Sequence, residues 1–254
     1  MRDLPAATSP FDPGYDPLTV ESHLEQSGHL MATIKISMAC WLVAEESATR
    51  RKITSAARAG VPATAGGGPF EIAVAQRRLP EYLELCADVG LRGIECGEGF
   101  TDAQHDPRRI VGMAEARGLR VEFELGQKHG GAFDDREVDR LLERGREWLA
   151  AGAERVVVEA RESAAGVGLF GADGVFDPRL AERFADAFGL ERVVFEAPSK
   201  ASQFAFLDHF GSEVRLANVR LEELLRVEIY RRGLHADAFG RAGLAPAPAR
   251  PPAG

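Results

Sequence analysis

The chain alternates between two hydrophobic patterns along most of its length. Short runs of β-branched and aromatic residues, such as RVVVEA and RVVFEA, are separated by stretches in which apolar residues recur every three or four positions. This alternation predicts parallel strands joined by helices that pack on the sheet. The predicted strands are 9–12, 33–37, 61–64, 93–96, 120–125, 155–160, 192–197 and 214–219. The predicted helices are 17–28, 43–58, 80–89, 107–117, 134–151, 178–188, 199–210 and 221–232.

Glycine separates many predicted helices from the strand that follows. The phrases VGLRGIE, RGLRVEFE, AGAERVVVE and FGLERVVFE repeat this order of helix end, glycine and strand. Eight such units predict an α/β fold, a single-domain (β/α)8 TIM barrel, and an open doubly wound sheet is the alternative. We predict that the barrel spans residues 11–240, between a flexible N-terminus (1–10) and a flexible Pro/Ala-rich tail (241–254).

Composition narrows the class of function. The chain has 254 residues, which is long enough for one such barrel, and its net charge is −8. The sequence has no Lys/Arg-rich run of the kind that binds nucleic acid, so nucleic acid is not expected as a partner. It also has no apolar run that is long enough to cross a membrane. Cys40, Cys86 and Cys96 are odd in number and lack metal-binding spacing. In the absence of an export signal, these cysteines predict free thiols and a cytoplasmic protein.

Lysine is rare in this chain. Only four of its 31 basic residues are lysines, and lysine, unlike arginine, can exchange a proton near neutral pH. Lys35, Lys128 and Lys200 lie at or just after the ends of predicted strands. Lys52 lies in a predicted helix and is expected to be solvated on the outer surface.

Glutamates also gather at the strand ends. Four predicted strands end at or near Glu95, Glu124, Glu159 and Glu196, and in a barrel these ends surround the active site. A single glutamate there commonly caps a helix or pairs with an arginine. Four at one mouth would repel one another unless a ligand or metal were present. Hard cations such as Mg²⁺ take carboxylate ligands, and a lysine opposite them suits enolate chemistry.

Other residues near the predicted mouth are less informative. The glycine-rich stretch 65–71 could bind a phosphate through its backbone amides, but such a run is also typical of a flexible turn. Glu98 and Glu162 accompany the strand-end glutamates. His29, His105 and His209 are expected on the surface, and His129 in a loop, so none is given a role.

Several of these residues lie in phrases that resemble the phosphosulfolactate synthase family, the ComA-type enzymes of coenzyme M biosynthesis and their bacterial relatives. The resemblance is strongest over 155–240, in VVVEARESAAGVGLF, VVFEAPSKASQFAFLDHFGSEVRLANV and YRRGLHADAFGR. It continues more thinly through DPG at 12–14, IK at 34–35, GGGPFE at 66–71 and ELGQK at 124–128. It therefore covers nearly the whole chain and independently implies a (β/α)8 barrel.

The resemblance also implies a reaction. In the family, sulfite adds to phosphoenolpyruvate in the presence of Mg²⁺ to form 2-phospho-3-sulfolactate. It implies that Lys128 protonates the carbon that bears the phosphate, with Glu124 and Glu159 also catalytic. The implied metal ligands are Glu95, Glu124, Glu159 and Glu196. The predicted substrate contacts are Lys35, Gly67, Gly68, Arg161, Lys200 and Asn218.

The chain departs from the family pattern at residues that are expected to surround the substrates. After the lysine of the second strand the family has Phe/Leu-Gly-Trp-Gly-Thr-Ser, whereas this chain has Ile36-Ser37-Met38-Ala39-Cys40-Trp41. The family's Ser-Asp-Gly is here 97–99, Gly-Glu-Gly, and the glycines around its Arg-Glu-Ser are Ala160 and Ala164. Two alternatives therefore stay open: an enzyme for a different enol phosphate, phosphorylated metabolite or nucleophile, and a non-catalytic ligand-binding barrel. Association into a homo-oligomer through the outer helices is also left open.

Overall fold

Eight parallel strands form a closed barrel. The computed structural model describes residues 4–99, 105–127, 130–161, 163–241 and 243–244. Each strand pairs with the next in sequence, and the last pairs with the first, so the predicted TIM barrel is confirmed and the open sheet is wrong. The strands are β1 (Thr8–Asp12), β2 (Ile34–Ile36), β3 (Ala63–Ala65), β4 (Gly93–Cys96), β5 (Arg120–Leu125), β6 (Arg155–Val158), β7 (Val193–Glu196) and β8 (Arg215–Arg220).

Helices cover the outside of the barrel. They are α1 (Pro17–Ser27), α2 (Cys40–Val43), α3 (Glu46–Arg58), α4 (Gly67–Ala75), α5 (Leu79–Asp88), α6 (Pro107–Glu115), α7 (Asp135–Ala151), α8 (Pro178–Phe188), α9 (Lys200–Phe210) and α10 (Leu224–Arg231). Three of them, α1, α6 and α8, begin with an aspartate N-cap followed by proline. The aspartate accepts hydrogen bonds from amides of the first turn, and proline is preset for the helix. None of the described helices has the length and hydropathy of a membrane span.

The barrel interior is divided into layers along its axis. A small apolar layer of Val157, Val194 and Ala217 lies at mid-height. Because side chains alternate along a strand, the inward positions two residues further on carry Glu159 and Glu196. Below the apolar layer, Arg155 Nη1 lies 3.1 Å from Glu122 Oε1. The acidic groups at the mouth are thus separated by an apolar plug from the ion pairs at the other end.

The chain ends correct the predicted domain limits. β1 begins at Thr8, so the barrel starts before residue 11. At the other end, the Leu244 side chain is buried in the core, and Ser212 N donates to the Gly243 carbonyl. Residues 243–244 were predicted to belong to a flexible tail. Burial of Leu244 and the hydrogen bond to the Gly243 carbonyl place this part of the tail in the fold, because leucine gives an otherwise Pro/Ala-rich segment a side chain to bury.

Lys52 is buried, and the prediction of a solvated surface residue is wrong. Its Nζ lies 2.5 Å from Asp12 Oδ2 and donates to the Tyr15 carbonyl. Asp12 Oδ1 accepts from the amides of Gly14 and Tyr15. The ion pair therefore anchors the turn after β1. Asp12 and Gly14 of the DPG phrase thus have a structural role in this turn.

A second buried ion pair closes the far end of the barrel. Arg231 is fully buried, and its Nε donates to Glu228 Oε1 while its Nη1 donates to the carbonyls of Ser212 and Val214. Glu228 Oε1 also accepts from the Thr8 hydroxyl. This network joins α10 to β1 and to the start of β8, so the YRRGL phrase is explained by folding rather than by catalysis.

Candidate active site

A cavity of about 410 Å³ opens at the C-terminal ends of the strands. Its position is the one at which (β/α)8 barrels carry their chemistry. The described lining residues come from every strand end: Phe11, Pro13, Lys35, Ser37, Met38, Ala39, Gly66, Gly67, Gly68, Pro69, Ile72, Glu95, Glu124, Glu159, Arg161, Glu196, Pro198, Asn218 and Arg220. The predicted convergence of the four glutamates with Lys35 is therefore observed.

Lys35 lies on the floor of the cavity between two carboxylates. Its Nζ is 2.9 Å from Glu95 Oε1 and 3.4 Å from Glu196 Oε1. Burial alone would lower the pKa of the Lys35 ammonium, but Glu95, Glu196 and Glu124 together raise it above its ordinary value. Lys35 therefore stays charged and holds two carboxylates in place.

Three buried carboxylates form a compact cluster beside Lys35. One oxygen each from Glu124, Glu159 and Glu196 lies within 4.8 Å of the others. Glu196 Oε2 accepts from the amides of Ala160 and Arg161, at 2.9 and 3.1 Å. The Arg161 amide also donates to Glu159 Oε1 at 2.6 Å. The turn after β6 therefore orients two members of this acidic cluster.

The acidic cluster is electrostatically unfavourable without a cation. Burial, followed by the charges of Glu196 and Glu124, raises the pKa of Glu159 to about 11. Burial raises the pKa of Glu95 to about 7, although the Lys35 ammonium opposes the rise. Glu159 Oε2 is buried and accepts no hydrogen bond from a described donor. Oxygen ligands with such an unused lone pair fit a hard divalent cation.

Strained backbone surrounds the cavity. Met38, Arg161 and Asn218 all have positive φ, at 52°, 55° and 58°, which is costly for residues other than glycine and is concentrated at functional sites. Asn218 is the extra residue of a bulge, because Ser9 pairs with Ala217 and Pro10 with Val219. Its Nδ2 donates to the Arg161 carbonyl at 3.0 Å, joining two sides of the mouth.

The glycine-rich stretch begins a helix. Gly66 is the N-cap of α4, so the flexible-turn alternative is wrong, and the first-turn amides of α4 have no carbonyl acceptor within the helix. Gly67 is required because a Cβ there would lie 2.9 Å from Glu124 Oε2. Backbone N–H groups at a helix start suit an anionic ligand. They lie on the cavity wall close to the acidic cluster.

Not every residue predicted at the mouth is a described member of the acidic cluster or of the cavity lining. Lys200 is exposed, and its Nζ lies 3.4 Å from Asp237 Oδ2 and over the Phe204 ring; it is not among the residues lining the cavity. Glu98 pairs with Arg144 on α7. Glu95 contacts Lys35 and is not a member of the acidic cluster. Lys128, His129 and Glu162 lie outside the described residues.

Sequence reasoning missed three features of the site. Arg220 lines the cavity because β8 continues one residue beyond the predicted end. Glu71 is fully buried, and its Oε1 accepts from the Gly99 amide at 3.1 Å; only its place in the GGGPFE phrase could have indicated it. His105 is buried against Phe70, so the expected surface position is wrong.

Comparisons with known proteins agree with this geometry. The sequence model of the family described as (2R)-phospho-3-sulfolactate synthase (ComA) matches residues 6–237. The chain belongs to this family. It is 31% identical over 232 residues to the phosphosulfolactate synthase of Methanocaldococcus jannaschii, covering 91% of this chain and 92% of the relative. Identity to the phosphosulfolactate synthase of Methanothermobacter thermautotrophicus is 29% over 244 residues, covering 93% and 92%.

A bacterial relative and a solved structure extend the comparison. The phosphosulfolactate synthase of Bacillus subtilis is 29% identical over 175 residues, or 68% of this chain and 69% of the relative. The crystal structure of 2,3-dimethylmalate lyase, a PEP mutase/isocitrate lyase superfamily member, superposes with a TM-score of 0.52 at 13% identity, covering 91% of this chain and 79% of that one. At that identity the structural likeness concerns the fold alone.

Proposed function

We propose that this chain is a phosphosulfolactate synthase. The reaction is the addition of sulfite to phosphoenolpyruvate, which forms a C–S bond and gives 2-phospho-3-sulfolactate. The observation that carries the proposal is the buried cluster of Glu124, Glu159 and Glu196, which shares one cavity with the start of α4 in a chain of the ComA family. The proposed location is the cytoplasm, where the three free cysteines would stay reduced.

The acidic cluster would hold Mg²⁺. When bound, the cation would stabilise negative charge that develops on the substrate carboxylate as sulfur adds. Glu124, Glu159 and Glu196 offer only oxygen, the ligand type that Mg²⁺ prefers. Lys35 would act by holding the Glu196 carboxylate in place, because its Nζ lies 3.4 Å from Glu196 Oε1.

The substrate anions would bind around the rest of the cavity. The amides of Gly67 and Gly68 at the start of α4 suit the phosphate group. Arg161 and Arg220 line the mouth and can contribute positive charge for the carboxylate or for sulfite. Asn218 would position the Arg161 segment through its hydrogen bond to that carbonyl. Lys200, predicted as a further contact, has Asp237 as its partner.

Lys128 is proposed as the acid that protonates the carbon bearing the phosphate. It follows Glu124 by four residues in the ELGQK phrase, and lysine can give and regain a proton. Lys35 is unsuited to this step, since the neighbouring carboxylates raise its pKa and make its proton harder to release. Formation of the C–S bond uses the sulfur lone pair, and the displaced π electrons accept the proton from Lys128.

The test is direct. The purified protein is incubated with phosphoenolpyruvate, sulfite and Mg²⁺, and the product is identified by mass spectrometry and phosphorus NMR. We expect phosphosulfolactate, its loss in EDTA, and its loss in Glu159→Gln. Absence of the product with both Mg²⁺ and Mn²⁺, while the protein binds another phosphorylated acid, would reject the parent reaction. Binding of phosphoenolpyruvate or another phosphorylated acid without any turnover would favour the non-catalytic ligand-binding barrel.

A further inference from the structure

The cavity has two chemically different halves. Strands β4 to β7 contribute Glu95, Glu124, Glu159 and Glu196. The ends of β1 to β3, which are neighbours on the other side of the barrel, contribute Lys35, whose ammonium is paired with Glu95. Around that lysine the same side presents Phe11, Pro13, Met38, Ala39, Pro69 and Ile72. In the proposed binding mode the charged groups of the two reactants would use the acidic cluster, the first amides of α4 and the arginines of the mouth, which leaves the apolar side chains of this wall without a ligand group to contact.

The segment after β2 offers few polar groups to an anion. The Cys40 thiol donates to the Ser37 carbonyl at 3.0 Å, and Trp41 is buried against Tyr82. Of the described lining residues, Ser37 is the single one that carries a hydroxyl. Cys40 and Trp41 do not line the cavity, so this segment presents a single hydroxyl group, that of Ser37, to a ligand.

Met38 and Ile72 form the outer part of the apolar wall. Both line the cavity, yet their exposed fractions are 54% and 44%. The backbone of Met38 has a φ of 52°, which is a strained conformation for a residue with a large side chain. Its backbone nitrogen would lie 3.6 Å from a Cβ at Gly66, so it packs against the start of α4, the helix that carries Ile72. Large apolar side chains exposed in a ligand cavity are suited to cover an apolar part of a ligand.

We propose that this enzyme takes a reactant with a small apolar substituent beside the new C–S bond. The inference deepens the proposed function and rests on it. The substituent could come from the enol phosphate, as a methyl group on the carbon that sulfur attacks. It could also come from the nucleophile, as an alkyl sulfinate in place of sulfite. In both cases the apolar group would lie against Met38 and Ile72.

The chemistry balances in both cases. The sulfur lone pair forms the bond to C3 of the enol phosphate, and the C2–C3 π electrons move toward C2 and its carboxylate. One proton is then added at C2, and no group leaves. An alkyl sulfinate yields a sulfone, and sulfite with a substituted enol phosphate yields a branched sulfonate. Neither step needs an oxidant or a reductant.

The experiment compares matched substrates. Values of kcat/KM are measured for sulfite, methanesulfinate and ethanesulfinate with phosphoenolpyruvate, and for sulfite with the 3-methyl enol phosphate. We expect kcat/KM for the sulfinates, or for the 3-methyl enol phosphate, to exceed kcat/KM for sulfite with phosphoenolpyruvate. The expected increase is about fourfold for each methyl or methylene group that becomes buried. Met38→Gly and Ile72→Ala should abolish that preference. Glycine accepts the positive φ of residue 38, so the first variant should fold. Val43→Ala is the control, because Val43 is exposed outside the cavity, and it should keep the wild-type preference.

The outcomes separate the two proposals. Turnover of the parent pair in preference to every substituted substrate would overturn the inference and leave the proposed function standing. A preference for a substituted substrate that persists in Met38→Gly and Ile72→Ala would overturn the assignment to this wall. Failure of every pair to react would overturn the proposed function, and the inference with it.

Discussion

Replacement of Glu159 by glutamine should stabilise the metal-free protein. In Glu159→Gln the shape of the side chain is kept, but the group no longer has to take up a proton when the chain folds. The pKa of Glu159 is raised from its ordinary 4.5 to about 11 by burial and by its carboxylate neighbours. A raised folded pKa means that this group's contribution to stability is complete below pH 4.5 and is lost as pH rises toward the folded pKa.

The size of the effect follows from the pKa values. Each pH unit between the two values costs about 1.4 kcal/mol, so at pH 7 the cost to the wild type is about 3 kcal/mol. Glu159 is only 3% exposed, so solvent screening reduces this little. We therefore expect Glu159→Gln to be more stable than the wild type by up to about 3 kcal/mol at pH 7 in EDTA. The difference should shrink toward pH 5 and grow toward pH 8.

Urea unfolding measures this difference. The fluorescence of buried Trp41 and Trp148 reports on the core, and the titrations are run in EDTA and in excess Mg²⁺ at several pH values. In Mg²⁺ the order should reverse or the gap close, since a cation bound by the wild-type carboxylates stabilises the folded state by mass action. A variant that is no more stable than the wild type in EDTA across this pH range would refute the electrostatic reasoning.

Three further predictions concern single residues. Lys52→Ala should lower the free energy of unfolding by about 3–5 kcal/mol, because Asp12 would keep a buried, unpaired charge; a loss below about 1 kcal/mol in urea titrations would contradict this. Gly67→Ala should lower kcat about a hundredfold by displacing Glu124, whereas Gly112→Ala, with open space around its Cβ, should not, and equal rates would count against the close contact. Lys128→Ala and Lys128→Arg should both lose turnover with unchanged urea midpoints; near-normal rates in either would remove Lys128 from the mechanism.

The barrel could be predicted from the sequence because its signals are local. Strands β4 and β5 and helix α8 have the predicted limits. The four glutamates could be assigned to one mouth because each lies at or near the end of a predicted parallel strand. Helix α4 was missed because its first turn contains two glycines and a proline. Its stability comes from packing of buried Phe70 and Ala73, which local propensity does not register.

The partners of the charged side chains could not be predicted. Lys35, Lys52 and Lys200 were distinguished only by position in the chain, and pairing depends on residues far away in sequence. Lys52 finds Asp12 across 40 positions and is buried, while Lys200 finds Asp237 at the surface. Asn218 was placed at a strand end, but the bulge that sets its backbone depends on the register between β1 and β8.

Titration with Mn²⁺, followed by electron paramagnetic resonance, tests the central claim most directly. We expect a single Mn²⁺ site in the wild type that is lost in Glu124→Gln and Glu196→Gln. The site should persist in Glu98→Gln, because the Glu98 carboxylate of the wild type is paired with Arg144. Unchanged Mn²⁺ binding in the first two variants would contradict the claim that these carboxylates hold the catalytic cation.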